Sequence, residues 1–343
     1  MNNESGYGKI ARRYLGVLCN VITITLLCSC GGEPPRVSFY FWRTEYNLTP
    51  TEENVLNVNN VSTLYIRYFD VDLQDDKPVP IAPILFSKHP KMNIVPVVYI
   101  KNKVMTSSID VPQLARNIVK LIQKMSERQG LKYDEIQLDC DWTPGSRYNY
   151  FKLIDLCRLY SKKQLSSTIR LHQVKYSSRT GIPNIEKGVL MYYNMGKIAP
   201  DSSNSIYERE TALRYIAKLS AYPKELDIAL PLFSWGIHIR DDKVIGLVNK
   251  IQKEQYYNDS NFRKYGNDIL EVYSSILKDG RYFKKGDKIK IESVNSEDLE
   301  RMVDDLSYYV RSKPKHIIFF DLDENNLENY SHESTLQTLC NSF

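Results

Sequence analysis

The sequence predicts an α/β fold, a (β/α)8 TIM barrel with a small α/β insertion between strands 7 and 8. Three observations support this prediction. The chain has 343 residues, of which 42% are hydrophobic and 25% charged, which is enough for one large folded domain. Strand-like runs alternate along it with helical periodicity, as in a barrel of parallel strands. The connection between the last two runs is too long for a single helix.

The predicted strands are short runs rich in β-branched and aromatic residues, each bounded by turn-forming residues. Apolar residues spaced three and four apart predict helices between several of them, at 111–128, 150–160, 208–219 and 296–312. In the last helix we expect Ser296 to cap the N-terminus, with Glu297 and Asp298 in the first turn. The eight strand-like runs are residues 37–44, 63–72, 93–100, 134–142, 166–174, 189–195, 226–235 and 316–323.

The predicted insertion covers residues 241–294, between strands seven and eight. Within it, residues 280–294 (GRYFKKGDKIKIESV) predict a hairpin turning at Lys285, Gly286 and Asp287. We expect this small unit to lie over the rim of the barrel.

The N-terminus has the pattern of an export signal. Basic Lys9, Arg12 and Arg13 precede an apolar stretch, residues 14–27, that is short for a membrane span. The following segment, LCSCG, resembles a bacterial lipobox, in which Cys30 would carry the lipid. The predicted organisation is a signal peptide (1–29), a lipid-anchored spacer (30–36) and the barrel (37–343), tethered to a bacterial membrane of the cell envelope, with the outer membrane as the expected one. An ordinary cleaved signal or an anchor helix is the alternative.

Charge and cysteine content restrict the partners. A net charge of +5 is small for this length and does not indicate a nucleic-acid-binding surface. The body of the chain keeps Cys140, Cys157 and Cys340, without a CxxC or Cys/His spacing for zinc. We expect Cys140 and Cys157 to be buried thiols, with a disulfide in an oxidising compartment as the alternative, and we expect no cofactor. The oligomeric state stays open.

The fourth predicted strand carries polar residues at alternate positions. In EIQLDCDWT (135–143), Gln137, Asp139 and Asp141 share one face, and the other face is apolar. If the apolar face packs on the helices, the polar one points into the barrel. Carboxylates are costly to bury unless they are paired, so this placement favours a functional site. The alternative is a structural ion-pair network, for which Arg67 and Arg170 on neighbouring strands would supply cations.

This segment resembles glycoside hydrolase family 18, the chitinases and endo-β-N-acetylglucosaminidases, whose strand four carries D-G-x-D-x-D-x-E. In DEIQLDCD (134–141), Asp139 matches an inward aspartate, Gln137 replaces another, and Asp141 takes the place of the catalytic glutamate. Tyr193 and Asn194 fall in a second motif, Met-x-Tyr-Asp, and ALPLFSWG (229–236) is similar to the strand-seven segment. The chain is most similar to a group of bacterial barrel lipoproteins in the same superfamily, a domain of unknown function.

The resemblance implies a glycoside hydrolase acting on an oligo- or polysaccharide. Asp141 would be the catalytic acid, and Asp139 would raise its pKa and orient an acetamide or the developing cation. Gln137 would form a hydrogen bond with Asp139, and Tyr193 and Asn194 would contact the sugar. The alternative is a non-catalytic glycan-binding lipoprotein, favoured by the amides at Gln137 and Asn194 and by the shorter acid. A structural barrel that binds envelope proteins is a third possibility.

Further candidate residues lie at predicted strand ends. Trp42 and Trp235 would stack on sugar rings or pack in the core, whereas Trp142 is expected in the core. Arg170 and His172 share a face of strand five, next to Asp139. Asp323 ends strand eight and, paired with Asp141, would suit an inverting mechanism. We expect no metal, because Asp139, Asp141 and His172 match no defined ligand pattern.

Overall fold

The computed structural model describes residues 33–327 and 335–343. The predicted signal peptide, the lipid-bearing Cys30 and the first part of the spacer lie outside the described residues, and they remain predictions. Within the described ranges, none of the helices is both long and apolar enough to cross a bilayer.

Eight parallel strands close into a barrel, which confirms the predicted fold class. Each strand pairs with its neighbours in the sequence, and the last pairs with the first, so that Val37 lies opposite Ile317. Closure leaves no free edge in this ring. The strands are β1 (Arg36–Phe41), β2 (Thr63–Gln74), β3 (Asn93–Ile100), β4 (Glu135–Asp139), β5 (Gln164–Arg170), β6 (Lys187–Met191), β7 (Leu226–Pro231) and β8 (His316–Phe320).

Helices pack around the barrel, and two of the four predicted ones start where the sequence indicates. The helix Val111–Arg128 has the predicted bounds, and the helix Ser296–Tyr309 starts as predicted. Its cap is Asn295 rather than Ser296, because the Asn295 side chain accepts from Asp298 N at 2.8 Å. The described helices are Pro50–Val58, Asn102–Thr106, Val111–Arg128, Arg147–Ser161, Leu171–Lys175, Ser177–Thr180, Arg209–Ile216, Lys253–Tyr257, Ser296–Tyr309, Glu324–Leu327 and Thr335–Asn341, with a 3-10 turn at Leu219–Ala221.

Several strands end earlier than predicted. The predicted strands were too long because strand-forming residue types continue past the last paired residue into the following loop. β5 ends at Arg170 and the short helix Leu171–Lys175 follows, so His172 lies on a helix rather than on the predicted strand. β7 ends at Pro231, which has no N–H for a further ladder bond. Trp235 therefore does not end β7 but begins the next sheet.

The insertion is a small antiparallel sheet with one short helix, Lys253–Tyr257. The predicted hairpin around Gly286 is wrong in its pairing: Arg281–Phe283 pairs with Ile276–Lys278. Lys288–Glu292 is instead a central strand, paired with Trp235–Arg240 and Ile269–Val272, and Asp287 just before it is hydrogen-bonded to His238 at 2.7 Å. The sheet order is Lys243–Asn249, Trp235–Arg240, Lys288–Glu292, Ile269–Val272 and Phe262–Gly266.

Two apolar clusters lie on opposite faces of the barrel strands. The inner one fills the barrel with aromatic and aliphatic side chains, among them Tyr40, Tyr65, Val97 and Met191. The outer one lies between strands and helices and contains the apolar face of β4 with the residues that follow it, Ile136, Leu138, Cys140 and Trp142. Gln137 and Asp139 are buried on the opposite, inner face.

A buried charged cluster occupies the N-terminal end of the barrel. The Lys187 ammonium lies 3.0 Å from the Asp227 carboxylate, 3.1 Å from that of Glu135, and 3.0 Å from the Tyr65 hydroxyl oxygen. Together they hold the pKa of Lys187 above its usual value against the effect of burial. The cluster ties β2, β4, β6 and β7 together far from the C-terminal mouth.

Replacing Lys187 with methionine is expected to lower the free energy of unfolding by about 3–5 kcal/mol, because Asp227 and Glu135 would stay buried without their cation. Urea unfolding measures the change. Lys163→Met is the matched control: its ammonium pairs at 3.5 Å with the fully exposed Asp134, so the loss should stay below about 1 kcal/mol. Equal losses in the two variants would contradict a structural role for the cluster.

Candidate functional site

A cavity of about 440 Å³ opens at the C-terminal mouth of the barrel, and we call it the mouth cavity. Barrel enzymes place their chemistry at this end. The insertion supplies part of one wall through Trp235, Asn249 and Lys250. The lining residues are Trp42, Tyr99, Asp139, Arg170, Met191, Tyr193, Asn194, Phe233, Ser234, Trp235, Asn249, Lys250, Phe320 and Asp321.

Aromatic rings form a connected wall around this cavity. Phe320 at the end of β8 lies 5.4 Å from Trp42, 5.7 Å from Tyr193 and 5.9 Å from Phe233, between ring centroids. Phe233 in turn lies 5.4 Å from Trp235. The wall is therefore built from strand ends that are distant in sequence, and its rings offer apolar area to a ligand.

The Trp235 indole is held from behind by a buried ion pair of the insertion. Its Nε1 donates to Glu292 Oε2 at 2.8 Å, and Glu292 pairs with Lys290 at 2.7 Å. Glu292 also accepts from the backbone N of Ser205 at 3.1 Å. Because its N–H is already bonded, Trp235 offers the cavity its apolar surface.

Asp139 is the buried acid of the β4 side of the cavity. Its residue is only 5% exposed, and Thr168 Oγ1 donates to its Oδ1 at 2.6 Å. Burial raises the pKa of Asp139 to about 6, although the nearby positive charge of Arg170 opposes the rise. A carboxyl group in this state can accept or donate hydrogen bonds near neutral pH.

Asp141 lies just beyond the end of β4 and is engaged by an arginine. Arg170 donates from Nε to Oδ1 and from Nη2 to Oδ2, the second bond at 3.1 Å. The carboxylate is 43% exposed, and it is Arg170, not Asp141, that lines the mouth cavity. The arginine partner expected from the structural alternative is therefore present at this position, in a bidentate geometry.

Asp321, which was not among the predicted site residues, lies on the β8 side of the cavity. It is 5% exposed, and Asn326 Nδ2 donates to its Oδ1 at 2.8 Å. Burial raises the pKa of Asp321 to about 6. The predicted Asp323 is buried behind the cavity instead, where Lys250 Nζ lies 2.5 Å from its Oδ2. The sequence feature that pointed to this part of the cavity was the acidic segment DLDE. Which of its side chains face the cavity could not be predicted, because the alternation of a strand does not continue past the end of β8.

Three other predicted residues lie outside the cavity lining. Gln137 accepts from the Tyr40 hydroxyl at 2.7 Å and donates to Ser166 at 3.3 Å, deeper in the barrel than Asp139. Arg67 is bonded to Asp70 at 2.6 Å, and His172 is exposed on its short helix. The hydrogen bonds of Gln137 to Tyr40 and Ser166 replace the expected hydrogen bond from Gln137 to Asp139.

Four predicted residues do line the cavity besides Asp139 and Arg170, namely Trp42, Trp235, Tyr193 and Asn194. Asn194 has a left-handed backbone (φ +54°), which asparagine tolerates better than most residues.

Trp142 and the cysteines belong to the core, as predicted. Trp142 is fully buried, stacks on Tyr150 at 5.3 Å and donates to Thr180 O at 3.1 Å. Cys140 and Cys157 are buried free thiols.

Several solved structures have a fold similar to that of this chain. The chain superposes on the C-terminal domain of a putative chitinase from Desulfitobacterium hafniense DCB-2 with a TM-score of 0.56 and 10% identity, covering 90% of this chain and 99% of that one. A GH18 chitinase from Cycas revoluta in complex with (GlcNAc)4 gives 0.51 and 11%, covering 89% and 98%. The fold is that of the GH18 chitinases. A class V chitinase from Pseudomonas fluorescens Pf-5 gives 0.52 and 12%, covering 90% and 99% of the two chains.

The likeness extends over the whole GH18-like barrel but rests on structure alone. No protein-family model matches the sequence, and no curated protein matches it. At this level of identity the comparison establishes the fold, and the function has to be argued from the site.

Proposed function

We propose that this protein binds a glycan in the mouth cavity and does not cleave it. The observation that carries the proposal is the aromatic wall of the cavity, in which Trp42, Trp235 and Phe320 line the same space as the buried acids Asp139 and Asp321. Sugar rings stack their C–H faces on such rings and direct their hydroxyl groups to polar side chains. A solved GH18 chitinase of the same fold was obtained with (GlcNAc)4, which makes that tetrasaccharide a reasonable first ligand.

The contacts of Asp141 support glycan binding rather than glycan cleavage. A glycosidic acid must hold a proton close to the leaving oxygen. Two hydrogen bonds from Arg170 hold both carboxylate oxygens of Asp141 against the guanidinium, and Asp141 does not line the mouth cavity. The amides of Gln137 and Asn194 further reduce the negative charge available to a cationic transition state.

The test combines calorimetry with a cleavage assay on the same samples. We expect (GlcNAc)4 or cellotetraose to bind with a measurable heat, and no new reducing ends to appear after prolonged incubation. Absence of binding by every neutral oligosaccharide tested would overturn the proposal.

Hydrolysis is the second candidate, and Asp139 is the observation that favours it. Its raised pKa leaves a fraction of the carboxyl protonated near neutral pH, as a general acid requires. If reducing ends appear, Asp139→Asn should abolish their release, and Asp141→Asn would show whether the residue in the place of the family's acid takes part. Release that survives both substitutions would exclude the β4 carboxylates.

We also propose that the barrel is attached to the cell envelope through lipid on Cys30. The proposal rests on the LCSCG segment and the basic, apolar leader. Cys30→Ser should move the protein from the membrane fraction to the soluble fraction, and mass spectrometry of the mature N-terminus should detect acyl chains only in the wild type. A mature protein that starts elsewhere without lipid would contradict it.

A further inference from the structure

Two similar groups of charged residues stand at the mouth cavity, one at β4 and one at β8. In the closed ring of eight strands, β4 and β8 are four strands apart in either direction, so the groups lie on opposite walls. Each group begins with an Asp-x-Asp segment, DCD (139–141) or DLD (321–323), and each includes one cation.

The β4 group consists of Asp139, Asp141 and Arg170. Asp139 and Arg170 line the cavity, whereas Asp141 stands behind Arg170 and binds it through two hydrogen bonds. The groups that act on Asp139 are Arg170, Asp141, the Thr168 hydroxyl and the more distant Asp70. With every group ionised, the β4 group carries two negative charges and one positive charge.

The β8 group consists of Asp321, Asp323 and Lys250, and it repeats this arrangement. Asp321 and Lys250 line the cavity, and Asp323 stands behind Lys250 with its carboxylate 2.5 Å from the ammonium. The groups that act on Asp321 are Lys250, Asp323 and Arg43, and Asn326 donates to it at 2.8 Å. This group also has an excess of one negative charge.

We propose that the two groups make the mouth cavity selective for uncharged glycans, with Asp139 and Asp321 accepting hydrogen bonds from ligand hydroxyl groups on opposite sides and excluding acidic sugars. This inference rests on the proposed function and names the class of ligand for the same site. It assigns a binding role to Asp321.

The reason is that both cations of the cavity already have a carboxylate partner. A ligand carboxylate would have to share Arg170 with Asp141 or Lys250 with Asp323, whose negative charges already neutralise these cations, and it would meet Asp139 or Asp321 on the way. Placing like charges together in a partly desolvated site disfavours binding strongly. Hydroxyl groups meet no such penalty, because an ionised carboxylate accepts several hydrogen bonds.

Calorimetry at pH 7.5 on the full chain tests the selectivity with three tetrasaccharides of equal length. We expect (GlcNAc)4 or cellotetraose to bind at least 30-fold more tightly than tetragalacturonic acid. Equal or tighter binding of the acidic sugar would overturn the inference and leave glycan binding intact. If none of the three binds, both the inference and the proposed function fail.

Variants separate a binding role from a structural one. The double variant Asp139→Asn/Asp321→Asn should weaken neutral binding about tenfold and reduce the discrimination against tetragalacturonic acid to less than about threefold. Wild-type affinity for the neutral sugar should also fall between pH 7.5 and pH 5, since both acids have a pKa of about 6, and the double variant should lose this dependence. Asp134→Asn, at the other end of β4, is the control with one charge removed. Discrimination that persists in the double variant would overturn the assignment.

Discussion

Asp139→Asn is expected to raise the free energy of unfolding at pH 8 by about 3 kcal/mol and to change it little at pH 4. The pKa of Asp139 is about 6 in the folded protein and about 3.9 in an unfolded chain, a difference of about two units, and each unit corresponds to about 1.4 kcal/mol. Because the folded-state pKa is the higher one, this group's contribution to stability is complete below about pH 4 and is lost as the pH rises through about 6. Asparagine cannot ionise, so the variant avoids that loss.

The geometry favours this substitution over others at the same position. Thr168 Oγ1 can donate to the amide oxygen as it does to the carboxylate, so no buried hydroxyl is left without a partner. Urea unfolding at pH 4, 6 and 8 measures the effect, and Asp134→Asn, which removes a fully exposed carboxylate, should show no comparable pH dependence. A less stable Asp139→Asn protein at pH 8 would mean that attraction to Arg170 outweighs the loss of solvation.

A buried carboxylate in a cavity whose ionised form lowers stability is a candidate for a functional role. Asp139 and Asp321 are both of this kind, and both line the same cavity beside aromatic rings. Asp141 and Asp323 are paired with Arg170 and Lys250. Burial acts to raise the pKa of Asp323, but the hydrogen bond and positive charge of Lys250 hold it below its usual value. The four aspartates thus divide into two that line the mouth cavity and two that pair with the neighbouring cations.

The barrel and the inner face of β4 could be predicted from the sequence because both follow from local periodicity. Alternation within a strand determines which side chains share a face, so Gln137 and Asp139 had to point away from Ile136 and Leu138. Asp141 and Asp323 lie beyond the last residues of β4 and β8, where the backbone is no longer a strand, and neither lines the mouth cavity.

The long-range pairings could not be predicted in the same way. Arg170 is 29 residues from Asp141, and Lys250 is 73 residues from Asp323. Which carboxylate each cation takes depends on how the strand ends and the insertion come together. The insertion sheet shows the same limit, because Lys288–Glu292 has neighbours in sequence that could form a hairpin but pairs with Trp235–Arg240 instead.

Removing the indole ring of Trp42 or of Trp235 is expected to weaken binding of (GlcNAc)4 about 30-fold, or about 2 kcal/mol, in each alanine variant. Both rings line the mouth cavity and contact other aromatic rings rather than the hydrophobic core outside the barrel, so the loss should fall on affinity more than on stability. Tyr308→Ala, which removes an exposed ring from the helix Ser296–Tyr309, is the control and should bind normally.

Intrinsic fluorescence gives an independent measurement, because the chain has only three tryptophans and Trp142 is buried on the outer side of β4. A ligand in the mouth cavity should therefore change the emission of Trp42 and Trp235, and the double variant Trp42→Phe/Trp235→Phe should show no change. The Trp235→Phe variant keeps a smaller aromatic ring but loses the hydrogen bond to Glu292. The affinity of this variant should therefore lie between those of the wild type and the alanine variant. Full affinity in both alanine variants would contradict glycan binding against these two rings, which both line the mouth cavity.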